Sequence, residues 1–194
     1  MEKRKYKGYT ITITPSESNE SPNNWDDDER FIVYDHRDFY VKRSGFDPSD
    51  IFETYQEKRK LYDKHWFFPV YAYIHSGIAL SLGRNEYPFN DRWDVSFKGF
   101  AIIKRMKGTW KEDDAYKAAE TLIKTWNQYL SGNVYSFLIE DENNEFIDSC
   151  GGYYGSPEES GMLEECYNTI EADILLVQTK FIIDVNSLNP VEIY

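Results

Sequence analysis

Segments with strand character follow one another along most of this chain instead of alternating with helices, and that order constrains the fold more than any other feature. Tyr9-Thr-Ile-Thr-Ile-Thr14 alternates and is β-branched, and Pro15 stops it. Arg30 to Tyr34 reads as a second strand, with Asp38 to Lys42 extending the sheet after a turn. Phe67 to Ile74 reads as a strand buried on both faces; His75-Ser-Gly77 interrupts it, and Ile78 to Leu82 continues as its partner or extension. Trp93 to Lys104 is another strand, with Gly99 marking a bulge. Val134 to Ile139 and Glu145 to Asp148 flank the turn Asp141 to Asn144 as a hairpin, and Phe181 to Val185 reads as a last short strand.

Helical signals are fewer. Asp47-Pro-Ser-Asp pairs a cap residue with proline at the first helical position, predicting a helix to about Tyr62. Thr109-Trp-Lys-Glu112 is a capping box before the clearest apolar stripe in the chain: Ala115, Ala118, Ala119, Leu122, Ile123, Trp126 and Leu130, closed by Gly132. Ser156-Pro-Glu-Glu159 predicts another helix start, with Leu163, Tyr167, Ile170 and Ile174 on one face. The expected fold is a single α+β domain over 1–194, a mainly antiparallel sheet with about three helices packed on it.

Charge separates what the chain can bind from what it cannot. The 194 residues carry a net charge of -12, which argues against a conventional nucleic-acid ligand, whose affinity comes from Lys and Arg on phosphates. Residues 1–111 hold 19 basic and 17 acidic side chains, whereas residues 112–194 hold 3 and 17. That acidic portion serves solubility or presents an anionic field to a basic partner. With 17% aromatic residues the chain can bury enough apolar area to fold. No 18-residue apolar run is present, and no apolar stretch follows the basic Met1-Glu-Lys-Arg-Lys-Tyr6, so a cytoplasmic protein without membrane contact is expected.

Candidate chemistry is sparse. Cys150 precedes Gly151-Gly-Tyr-Tyr-Gly155, read as a glycine-rich turn before a helix, where a thiol pKa falls; His75 is its candidate base and Asp94 the third group. The alternative is a small cysteine at a strand end and a histidine packed in the sheet. Asn90-Asp-Arg-Trp-Asp94 sets Arg92 between carboxylates and beside Trp93, the composition of a binding hot spot and equally of a salt-bridged strand end. Trp25-Asp-Asp-Asp-Glu29, with Asp35, His36 and Asp38 downstream, lacks the spacing of a calcium loop, and no Cys-x-x-Cys occurs; neither metal nor cofactor is expected. Glu158 and Glu159 would repel phosphate from the glycine-rich segment; with Glu164 and Glu165 they are the candidate anionic contacts.

Taken in order, several short strings resemble a family encoded mainly by phages and mobile elements. They are Ser21-Pro-x-x-Trp25-Asp-Asp, Asp35-His-Arg, Pro69-x-Tyr-x-Tyr-Ile-His75-Ser-Gly-Ile78, Arg92-Trp-Asp94 with Gly99, Tyr129-Leu-Ser-Gly-Asn-Val-Tyr135 and Asp148-Ser-Cys-Gly-Gly-Tyr-Tyr-Gly155. The family reads Ser-Gly where this chain has Val95-Ser96 after Trp-Asp, and Trp where it has Gly151 after the cysteine. The resemblance implies a genomic setting more than a mechanism. Together with the acidic portion, it leads to the expectation of an accessory binding protein acting on a host protein with a basic surface, such as a nuclease or its complex. Anti-CRISPR or anti-restriction inhibition is the concrete form. The rivals are a cysteine-dependent hydrolase or acyl transferase using Cys150 and His75, and a structural protein that forms a homo-oligomer.

Overall fold

The computed structural model describes residues 1–16, 20–25, 29–49, 51, 64–83, 95–105 and 111–188. Its strands and helices run β1 (Glu2–Tyr6), β2 (Tyr9–Pro15), β3 (Arg30–His36), β4 (Phe39–Val41), β5 (His65–Ile74), β6 (Ile78–Leu82), β7 (Val95–Lys104), α1 (Glu112–Leu130), β8 (Val134–Glu140), β9 (Phe146–Tyr154) and α2 (Met162–Leu188). Contacts divide the chain into two compact units: a terminal unit of Met1–Ser18 with Val134–Tyr194, and a central unit of Asn19–Asn133.

The fold class is α+β with antiparallel pairing throughout, distributed over two sheets. Two α-helices appear among the described residues, not about three. Of the helix predicted from Asp47 to Tyr62, Pro48, Ser49 and Ile51 have helical backbone, and the remainder lies outside the described residues.

The central unit is the five-stranded sheet β4-β3-β7-β5-β6. Ala115, Ala119, Leu122, Ile123 and Trp126 of α1 bury against Ile32, Tyr34, Val70, Ala72, Leu80 and Ala101 on one sheet face. This is the stripe read from the sequence, since residues three and four apart share a helix face. The other face gathers Phe31, Val33, Phe100 and Ile102 with Ile51. β5 alternates: Phe68, Val70 and Ala72 are buried, while Phe67, Pro69 and Tyr71 between them are half-buried, so the strand is not enclosed on both faces. α1 begins at Glu112, with the Lys111 backbone N–H donating to Asp114 Oδ2 at 3.2 Å; Thr109 of the predicted capping box lies outside the described residues.

The open side of β6 is occupied by a side chain. Asn127 Oδ1 accepts from the Leu80 N–H at 2.7 Å, and its Nδ2 donates to the Leu80 carbonyl at 2.9 Å. One amide thus satisfies both backbone groups of an edge residue as a neighbouring strand would.

The terminal unit is the four-stranded sheet β1-β2-β8-β9 with α2 across one face. Its core joins Ile11 and Ile13 of β2 and Phe137 and Ile139 of β8 to Met162, Leu163, Cys166 and Ile170 of α2. Three expectations are corrected here. Residues 151–154 continue β9 instead of forming a turn, because Gly151 and Tyr153 pair with Ser136 and Tyr135. Ser156 to Ser160 form a separate turn, so α2 starts at Met162 and not at Ser156. Phe181 to Val185 lie inside α2: five apolar-rich residues have no helix or strand identity of their own, and a helix already nucleated at Met162 propagates through them.

Candidate functional site

Negative charge belongs to the terminal unit. Its two segments together hold 15 acidic and 5 basic residues, a net of -10 out of -12. Four of the five cations, Lys3, Arg4, Lys5 and Lys7, come from β1 and the turn after it. Arg4 reaches Glu2 at 2.6 Å and Glu158 at 2.5 Å, and Lys7 bonds Glu171. Hydrogen bonding from Arg4 holds the Glu158 carboxyl below its ordinary range, and Lys7, then Tyr6, does the same for Glu171. The basic patch at the N-terminus is therefore partly consumed within its own unit.

At the hairpin end of the sheet, three carboxylates from two segments converge on one tyrosine. Thr10 of β2 pairs with Glu140, which brings the β8–β9 turn beside Tyr9. The Tyr9 hydroxyl donates to Asp173 of α2 at 2.8 Å. Its pKa is pushed up to about 12 by burial first, then by the Asp173 bond and the fields of Asp173, Asp141 and Glu142. Asp141 is held in place as a turn residue, its Oδ1 accepting from the N–H groups of Asn143 and Glu145 at 2.8 Å each. Glu142 and Glu145 at the tip are exposed. The sequence shows these acids but not their meeting with Asp173.

The four glutamates singled out in the sequence lie at the N-terminal end of α2. Glu158 and Glu159 are exposed in the turn before α2, and Glu164 and Glu165 are exposed in its first turn, where the helix dipole favours acids. Glu165 is also in hydrogen-bonding contact with Tyr153, whose hydroxyl is pushed far upward by burial, then by Glu165 and Cys150. A bulge makes this cluster. The β8–β9 register skips at Gly152, whose φ of 83° suits glycine, so Cys150 opposite Phe137 and Tyr153 opposite Tyr135 share one face although they are three residues apart.

Cys150 is thus an exposed thiol on edge strand β9, not a residue at a helix N-terminus. His75 is in the central unit, on the exposed β5–β6 turn, its ring stacked on Tyr73 at 6.3 Å. Asp94, Arg92 and Trp93 lie outside the described residues, as do residues 26–28 of the acidic loop. All three histidines fall within 19–133, and in its own unit Cys150 interacts with Tyr153 and Cys166. Cys166 is buried, and burial, then Glu165, pushes its thiol up to about 12. Iodoacetamide at pH 8 is expected to label Cys150 at least about a hundredfold faster than Cys166, because only the accessible thiolate reacts; mass spectrometry of the peptides reads the ratio, and comparable rates would refute the burial of Cys166.

Among the described residues no three His, Cys, Asp or Glu side chains gather to hold a metal ion, and no helix is long and apolar enough to cross a membrane. The central unit carries an open hollow of about 600 Å³ lined by Asn23, Tyr40, Lys42, Trp126 and Tyr129 among others. No protein-family model, no curated protein and no solved structure matches the chain.

Proposed function

We propose that this chain is a phage or mobile-element accessory factor that binds a basic surface on a host protein through its acidic terminal unit, and that inhibition of a defence nuclease, anti-CRISPR or anti-restriction, is its activity. The convergence of Asp141, Glu142 and Asp173 around Tyr9, in a unit of net charge -10, carries this reading. Carboxylates from a turn and a helix, fixed by hydrogen bonds, form a preorganised anionic surface of the kind that meets phosphate-binding Lys and Arg. The resemblance of its motifs to phage-encoded proteins supports the setting.

The test mixes the full chain with purified restriction enzymes and RNA-guided nucleases and measures plasmid cleavage. Inhibition is expected at low salt and should weaken about tenfold or more between about 50 and 300 mM as screening shortens the Debye length. Replacing the exposed Glu142, Glu145, Glu159 and Glu164 by glutamine should weaken it similarly. Inhibition of none of these nucleases, or inhibition indifferent to both salt and the four substitutions, overturns the reading. A cysteine-dependent enzyme is the second reading, favoured by the bulge that places exposed Cys150 beside Tyr153, which Glu165 also contacts. It requires that Cys150→Ser abolish the effect while the glutamine variant preserves it.

A further inference from the structure

The two cysteines of the terminal unit belong to the same layer, between β9 and α2. On β9 the register sets Asp148 opposite Ile139 and Cys150 opposite Phe137. Directly opposed residues of neighbouring strands share one face of a sheet, and Phe137 and Ile139 are on the face that α2 covers. Asp148 and Cys150 stand on that face too, at its rim, because β9 is the edge strand. From the helix side Cys166 is fully buried, in one cluster with Phe137 and Ile139. The Gly152 bulge brings Tyr153 onto the same face, its ring 5.7 Å from that of Phe137. The Tyr153 hydroxyl is in hydrogen-bonding contact with Cys150 and with Glu165, the chain neighbour of Cys166. Cys166 also feels the charges of Asp148 and Cys150, the β9 side chains that strand pairing turns toward the helix. Register and electrostatics agree: the two thiols are neighbours, one open to solvent and one closed to it.

We propose that Cys150 and Cys166 form a redox switch, a disulfide made on exposure to hydrogen peroxide that staples β9 to α2. The Cys150 thiolate attacks one peroxide oxygen, the O–O bond breaks, hydroxide leaves and Cys150 becomes a sulfenic acid. The Cys166 sulfur then attacks the Cys150 sulfur. The S–O bond breaks, the S–S bond forms, and the hydroxyl leaves with the Cys166 proton as water. In sum two thiols and one peroxide give one disulfide and two waters. Exposure fixes the roles. Peroxide in solution reaches Cys150 and not Cys166, so Cys150 is oxidised first and Cys166 resolves it from inside the fold. β9 is paired on one side only, which lets it shift to the Cα spacing of about 5.5 to 6 Å that a disulfide prefers. The bond closes a loop around residues 151–165, which carry the exposed Glu158, Glu159, Glu164 and Glu165, and constrains that segment in the unfolded chain.

The test treats the reduced full chain with dilute hydrogen peroxide and follows it by intact-mass spectrometry, with a non-reducing digest to locate the bond. The mass should fall by about 2 Da, the loss of two hydrogens. A peptide joining Cys150 to Cys166 should appear, and dithiothreitol should reverse both changes. The oxidised chain should unfold at a higher urea midpoint than the reduced one. Cys166→Ser should stop at a Cys150 sulfenic acid, about 16 Da heavier and trapped by dimedone. Cys150→Ser should slow the oxidation of Cys166 at least about tenfold, because peroxide then has no route to it. Wild-type protein that halts at a sulfenic or sulfinic acid with the Cys166 thiol intact overturns the proposal. A bond from Cys150 to Cys150 of a second copy, or a Cys166 oxidised as fast without Cys150, overturns it equally.

Discussion

Truncating Trp126 to alanine is expected to destabilise the central unit by about 3 to 5 kcal/mol, the range for deleting a fully enclosed large aromatic. Trp126 is 1% exposed and is the largest side chain buried in α1. Its ring packs edge-on against Phe39 of β4 at 6.0 Å and against Tyr129 one turn ahead at 5.9 Å. Beneath it the sheet presents Val70, Ala72 and Leu80, whose backbones are fixed by pairing on β5 and β6. The walls cannot close on the space vacated, so the cavity cost adds to the lost transfer energy. Urea unfolding should show the midpoint falling at unchanged slope. Trp126→Phe should cost less than half as much, because it retains most of the ring contact. A loss below about 1 kcal/mol for the alanine variant would mean that α1 does not seal this face of the sheet.

The elements of this fold are legible wherever one segment carries its own periodicity. The α1 stripe and strands β2, β3, β5 and β6 lie close to where alternation and apolar spacing put them, because those patterns report a buried face directly. What one segment cannot report is its partner. β2 pairs with β8, Ile11 opposite Ile139, across the whole central unit, and nothing in either strand names the other. The basic run at the N-terminus is strand β1, formed because Lys7 and Gly8 take positive φ and turn it onto β2.

The candidate site follows the same division. Glu158, Glu159, Glu164 and Glu165 are adjacent in sequence and were visible; Asp141, Glu142 and Asp173 meet only through the β2–β8 register and the path of α2. Cys150 shows the converse error. Its glycines suggested a turn, yet Gly151 pairs with Ser136, and Gly152 supplies a bulge that redirects Tyr153 toward the thiol. A glycine run marks an irregularity without saying whether the strand ends or bends.

Replacing Gly99 by alanine is expected to cost about 3 kcal/mol or more, at the upper end of overpacking penalties. Three strands meet at this glycine. Between β5 and β7 the register skips Lys98, Val70 pairing with Gly99 and Tyr71 with Phe97. On the other side Gly99 pairs with Tyr34 of β3, whose ring lies back across the glycine. From there the Tyr34 hydroxyl donates to the Ser96 carbonyl at 2.5 Å. An aromatic laid over a strand glycine covers backbone that has no side chain of its own. A Cβ at residue 99 would stand 2.5 Å from the Val33 carbonyl oxygen and closer still to Tyr34 Cδ2. Tyr34 is fully buried, so its ring has no free space to enter, and the Val33 oxygen is backbone. Removing the ring should relieve only part of the clash. Unfolding of Gly99→Ala, Tyr34→Ala and the double variant should therefore give a coupling of about 1 to 2 kcal/mol, with the double variant less destabilised than the sum. Additive losses, or a Gly99→Ala cost within about 0.5 kcal/mol of zero, would mean that Tyr34 does not lie against this glycine in solution.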